Sequence, residues 1–362
     1  MRAGVTGWPR VAAVVAAGCL LALVGGCGDG ESAGAAGALP VVAILGETGI
    51  NPGQFTYPRV LTNDGQSLWA IDKSARVQRF DPKTGRCTAL WKMPEWELGK
   101  PVGFTIAPGP DENGKWCDEL LYIADTHYNR LMVYRPPADS WERGPDGLPA
   151  RAKQEAVLVK RVGKYGMGPG EFIYPTDVAV LLKEDGRSID RIYVSEYGGD
   201  DRVSVFDGGW NFLFSFGTLG SSSSPENVQF DRPQSLAFAT LDGVKQIVIT
   251  DARNHRVGRF TLDGKLLGWI GSPETAGEGL GCFRFPYGLC VLEDGTALVS
   301  EFGGNRVQQI DLRTGAALGS WGRTGRGDGE IAMAWAVAVL GDRAYVVDGG
   351  NNRVMAFAAP RR

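Results

Sequence analysis

Six acids and six arginines recur in this chain of 362 residues at matched spacing. Asp72 and Arg76, Asp125 and Arg130, Glu196 and Arg202, Asp251 and Arg256, Glu301 and Arg306, and Asp348 and Arg353 each frame a short polar segment between apolar runs. Two chemistries are open to such a set. Gathered around one opening, the carboxylates could hold a divalent cation, since hard cations take oxygen ligands. Paired one to one with the arginines, they would instead fix loops through charge-assisted hydrogen bonds. Acids and arginines matched within the same loops are what pairing predicts. The twelve are therefore read as a structural ring, no metal site is assigned, and no cofactor is expected beyond the divalent-cation alternative.

Positions where the copies differ are better candidates for function. Arg59, Thr176, Asp177, Gln234, Ser235, Tyr287 and Trp335 follow the turn that leads into each unit. His127, Tyr128, Tyr197 and Phe302 follow the repeated acids. The aromatics can pack the ends of the units, as large rings commonly do. Alternatively they form a ligand platform, with Arg59 or Asp177 as polar anchors. Catalysis has little support. There are two histidines; His255 sits in an ordinary repeat loop, which leaves His127 as the one lone ligand or base. Catalytic zinc sites need several protein ligands, and no nucleophile elbow, phosphate loop or zinc-protease helix is present.

The elements that position these residues follow from the repeat. The apolar residue after each repeated Arg falls at Val77, Leu131, Val203, Val257, Val307 and Val354, a period of roughly 50 residues that marks a repeat architecture. Each unit holds four short apolar or alternating stretches. In the third these are 176–182, 191–195, 202–206 and 211–216. Asp-Gly turns such as Asp64-Gly65, Asp242-Gly243 and Asp263-Gly264 separate stretches of this kind. The sequence thus predicts an all-β six-bladed propeller with four antiparallel strands per blade. The last unit stops after three strands, and residues 41–45 are expected to supply its outer strand and close the ring. Segments 108–119 and 135–156 of blade two read as insertions, and 217–231, with Ser221–Ser224, as a mobile stretch. Strand order brings the repeated acids and the turns leading into each blade to one mouth of the central channel, the default pocket.

The units resemble NHL repeats, and the whole chain resembles exported bacterial six-bladed NHL propellers. The pattern of Gly-rich turn, Phe, Pro, strand, acid, Asn, Arg is carried by 168–175 with Glu196 and Arg202. It recurs in 279–286 with Glu301, Asn305 and Arg306. Blade two departs at Lys100-Pro101 and blade six at Ala334-Trp335. The resemblance covers about residues 40–359. It implies a binding module or, less often, a metal-dependent lyase, and fold alone does not choose between them.

The chain opens with Arg2 and Arg10 and an apolar run, 11–24, followed by Gly25-Gly26-Cys27. This reads as a lipoprotein signal over 1–26 with lipidation at Cys27, then a Gly- and Ala-rich tether over 27–39. The expected location is the outer side of a membrane, where disulfides persist. Cys87 and Cys117 are candidates for one, and Cys290 is expected to be buried and reduced. Charge is nearly balanced, 38 basic against 41 acidic residues, with no basic stripe for nucleic acid. The functional reading is a membrane-anchored monomeric module that binds a protein, peptide or glycan partner at the channel mouth. A metal-assisted lyase or hydrolase at the same mouth is the alternative.

Overall fold

The structure is a computed structural model that describes residues 40–98, 100–137 and 156–360. The signal, Cys27, the tether and most of the second insertion lie outside them. Six four-stranded antiparallel sheets make up the fold. Their innermost strands are Pro58–Asn63, Gly103–Pro110, Pro175–Leu182, Pro233–Leu241, Pro286–Val291 and Ala334–Leu340. Each is followed outward by the strand ending in the repeated acid, the strand led by the repeated Arg, and an outer strand. Second strands are buried almost throughout, as in LWAID and TALVSE. Outer strands alternate buried with half-buried or exposed residues, as in CTALWK. That is the pattern of strands packed between blades and of strands half-covered at the rim.

Val41–Leu45 is the outer strand of the last blade and pairs antiparallel with Arg353–Ala358, Val41 opposite Phe357 and Leu45 opposite Val354. The ring therefore closes as the sequence implied. Apolar clusters fill the seams between blades. One joins Leu45, Phe55 and Phe80 to Leu61, Tyr345 and Val347 across the closing seam. Each Gly-rich crossover drops a plug into its seam: Phe55, Phe172, Phe230, Phe283 and Ile331 are fully buried. Gly46 lets the chain pass one such plug. At φ +81° its missing Cβ would stand 2.4 Å from the Phe55 ring.

Two expectations change. The segment 108–119 is not a loose insertion, because the strands Gly103–Pro110 and Trp116–Asp125 run on through it to a tight turn. The Ser-rich stretch 217–231 is held at both ends. Thr218-Leu219 pairs with Gln229-Phe230, and Arg256 donates to the carbonyls of Ser221, Ser222 and Gln229.

Candidate functional site

All six acid–arginine loops have one geometry. The Arg-to-carboxylate distances are 2.5–2.8 Å, and every acid is buried. In five of the six the carboxylate also accepts a main-chain N–H from the crossover of its own blade: Thr56 to Asp72, Ile173 to Glu196, Asp231 to Asp251, Arg284 to Glu301 and Ala332 to Asp348. Most of the arginines reach further and donate to crossover carbonyls, as Arg202 does to Met167 and Arg353 does to Gly327 and Glu330. The pairs thus staple the crossovers that frame the mouth, and their oxygens face guanidinium and amide groups.

A second set of contacts joins neighbouring blades. The residue before the repeated Arg is left-handed in every copy: Ala75, Asn129, Asp201, His255, Asn305 and Asn352. In five copies its side chain accepts the N–H of the residue that opens the next blade. The donors are Tyr174 to Asn129, Arg232 to Asp201, Phe285 to His255, Met333 to Asn305, and Tyr57 to Asn352. Those five donors are left-handed as well, a strain that bulky residues bear only where surrounding contacts fix it. Ala75 has no acceptor to offer, and the blade after it is the one lacking the Gly-rich turn. In that crossover, main-chain atoms of Leu98 meet His127 Nδ1 (2.9 Å) and the Tyr128 hydroxyl (3.3 Å), while Glu95 pairs with Arg130. His127 and Tyr128, read from sequence as mouth candidates, therefore close an irregular crossover.

Most of the other candidates converge. In five blades the ladder between the first two strands shifts register just after its opening residue, which opposes the acid. The residues passed over include Arg59, Thr176, Gln234, Tyr287 and Trp335. Such a bulge re-aims a side chain. Arg59, Gln234, Tyr287 and Trp335 line a channel cavity of about 320 Å³, with Asp177 beside them. Thr176 does not present itself there. It is fully buried, and its hydroxyl meets Ser195 and donates to the Pro233 carbonyl of the next blade.

The mouth is built of aromatic rings around two guanidiniums. Tyr287 and Phe302 stack at 4.7 Å, and Trp335 stands edge-on to both at 5.0 and 5.2 Å. Arg59 lies 4.8 Å from the Trp335 ring and 5.3 Å from Tyr57. Arg232 lies over Tyr197 and Tyr287 at 4.7 and 5.1 Å and donates to Gln234 at 3.2 Å. Neither arginine has an ion pair among the described residues. The Arg59 Nε and Trp335 Nε1 are buried without hydrogen-bond partners. Burial lowers the Arg59 pKa, and nearby Arg232 lowers it further. Such a cluster has unused positive charge and N–H donors beside flat apolar walls.

Arg232, Tyr57 and Tyr174 were missed as mouth residues. A signal was present for Arg232: it occupies the position before the first-strand Pro where other copies carry Tyr57, Tyr174 or Phe285. Asp177 is buried and accepts from Val178 N–H, Leu236 N–H and the Ser235 hydroxyl. Burial lifts its carboxyl to about 6. His255 is the blade-joining acceptor just described, and burial lowers its pKa. Among the described residues, no group of three or more His, Cys, Asp or Glu is arranged to hold a metal ion. Cys87, Cys117 and Cys290 are free thiols, so Cys87 and Cys117 are not bonded to each other. Burial pushes Cys290 up to about 11.

A larger cavity of about 1110 Å³ opens at the far ends of blades one and six, lined by Arg79, Lys83, Arg86 and Arg343 together with Asp81 and Asp342. Its arginines stand among acids, and Asp177 lies at the mouth too, but Arg59 and Arg232 there have no ion pair among the described residues. We take the mouth as the site on that ground.

No protein-family model matches the chain. Over 119 residues, 33% of the chain, it is 32% identical to peptidyl-glycine alpha-amidating monooxygenase of Mus musculus, and the match covers 11% of that protein. The chain thus spans about a tenth of the length of the curated relatives it matches. A protein of unknown function from Bacteroides thetaiotaomicron superposes with TM-score 0.56 at 15% identity, over 89% of this chain and 75% of that one. The WD40 β-propeller domain of Doa1 superposes with TM-score 0.53 at 12% identity, over 90% and 98%. At these identities the likeness is one of fold, a β-propeller.

Proposed function

We propose that the chain is an NHL-type binding module, exported and held to a membrane through Cys27, whose channel mouth receives an anionic group of a protein or peptide partner. One observation carries the reading. In loops where every repeated arginine is matched to an acid, Arg59 and Arg232 stand at the mouth on aromatic rings with no ion pair among the described residues. A carboxylate entering there gains charge-assisted hydrogen bonds from both, and the Tyr287, Phe302 and Trp335 rings offer an apolar wall for the group next to it. The mouse relative is named for acting on peptidyl-glycine, which is in keeping with a peptide ligand. Val41 pairs with Phe357, at the strand ends remote from the Asp348–Arg353 loop. The strand that closes the ring thus enters it from the face away from the mouth.

The test is calorimetric titration with N-acetylphenylalanine and with its amide. The acid should bind and the amide should bind more weakly. Arg59→Gln or Arg232→Gln should weaken the acid about tenfold or more, the scale of one hydrogen bond to a charged group, with the melting temperature kept. Equal binding of acid and amide, or binding indifferent to both variants, would overturn the reading. The competing lyase or hydrolase reading has its own signature: stoichiometric zinc or calcium in the purified protein, lost on Glu196→Ala or His127→Ala.

A further inference from the structure

Exposed large apolar side chains are distributed unevenly over the molecule. Each of the six crossovers around the mouth presents at least one: Ile50, Leu98, Tyr165, Leu219, Leu280 and Met333. Ile50 is 77% and Tyr165 70% exposed, so these are not rims of the core. Of the tight turns at the far ends of the blades, only the one at Val244 exposes such a residue among the described residues. The remaining exposed apolar residues are single positions on outer strands, which is ordinary for a protein surface. An apolar ring on one face is not, and such patches mark interaction surfaces.

The geometry points to the crossover face as a docking surface for an apolar peptide segment of a protein partner that carries an acidic side chain. This rests on the reading of the mouth given above. The acidic residue pairs with Arg59 and Arg232 at the centre, and its apolar neighbours spread onto the crossover ring. Composition agrees with a protein partner. Tyr, Trp, Met and Arg are the residues enriched in protein interfaces, and Trp96, Met167 and Tyr174 add to the exposed ring. Charge argues against an anionic lipid surface, because the six crossovers together carry ten acidic residues against six basic ones. The ring also spans all six blades, more than a small ligand in a cavity of about 320 Å³ can touch.

The experiment is selection of a random displayed peptide library on the mature propeller, followed by affinity measurement of the consensus peptide. The expected consensus has an Asp or Glu flanked by aromatic or aliphatic residues. Replacing that acid by its amide, or using the triple variant Ile50→Ser, Tyr165→Ser, Leu219→Ser, should each weaken binding about tenfold. All three positions are exposed, so the melting temperature should hold. No enrichment, a consensus indifferent to the triple variant, or rim-dependent binding of phosphatidylglycerol vesicles overturns the inference. If N-acetylphenylalanine still binds in any of those cases, the mouth reading survives; if it does not, that reading falls as well.

Discussion

At the scale of single residues, the molecule uses one device twice: a side-chain acceptor that meets a main-chain N–H. The acids do this within a blade, and Asn129, Asp201, His255, Asn305 and Asn352 do it between blades. His255 is the informative case, since only its neutral ring can accept from Phe285 at Nδ1. Its folded pKa is lowered, so the unfolded chain takes up the proton first, and the contact stabilises above the ordinary imidazole value and is lost as pH falls below it. His255→Asn should keep the contact, leave stability at pH 8 within about 0.5 kcal/mol, and remove that acid sensitivity, whereas His255→Leu should cost about 1 kcal/mol or more at pH 8 and less at pH 5.5, where the native chain has itself lost part of the contribution. Denaturant unfolding at pH 8 and 5.5 checks this. Asp177 has the opposite sign. Its carboxyl is lifted from 3.8 to about 6 by burial, so the folded state holds a proton the unfolded state has released. Its contribution is greatest below about pH 4 and fades as pH rises through 6, by on the order of 2–3 kcal/mol. Unfolding free energies of the native chain and Asp177→Asn should therefore shift in favour of the variant between pH 4 and 7, and a constant difference would count against the buried unpaired carboxyl. None of this was legible beforehand. Spacing showed that Asn and His precede the repeated Arg, but the partner N–H lies in the next blade and is set by tertiary packing.

At the scale of elements, strand type and order were legible and fine geometry was not. Alternation and Asp-Gly turns placed the third blade's strands within a residue or two of their observed bounds. The bulge that aims Arg59, Gln234, Tyr287 and Trp335 leaves no mark in hydrophobic pattern, because the strand stays apolar on either side of it. The one strand inferred from an absence, 41–45, lies where the missing fourth strand belonged, with Leu45 4% exposed in the closing seam. Removing it would bare the edge of Arg353–Ala358 and uncover the Phe55 and Phe80 rings it packs beside. Deleting residues 40–46 should lower the melting temperature of the whole ring, and Leu45→Ala alone should destabilise by about 2–4 kcal/mol. Calorimetry of the two variants decides it, and an unchanged melting temperature for the deletion would refute this closure.

At the scale of the whole molecule, the ring is a repeat in which the proposed function falls on the exceptions. Ala75 lacks the acceptor its counterparts carry, and the next blade lacks the turn that would have donated to it, so the departure at Lys100-Pro101 read from sequence has its counterpart at Ala75 in space. Arg232 replaces an aromatic, and beside Arg59 it gives the mouth its charge. The same view explains why the closing seam needs no special chemistry. Phe357 opposite Val41 repeats the relation of Phe260 to Leu266, which an ordinary outer hairpin joins through Thr261–Lys265. The join can therefore be moved. A circular permutant that links Ala358 to Val41 by a loop copied from Thr261–Lys265, and opens the chain at the exposed Asp242-Gly243 turn, keeps every strand pair now present. It should unfold in a single cooperative transition within a few degrees of the native chain and retain the binding of N-acetylphenylalanine proposed for the mouth, since Leu241 and Val244 remain paired at the new ends. A split transition or a fall of tens of degrees would mean that the 41–45 strand does more than complete a blade, and that the six units are not interchangeable around the ring.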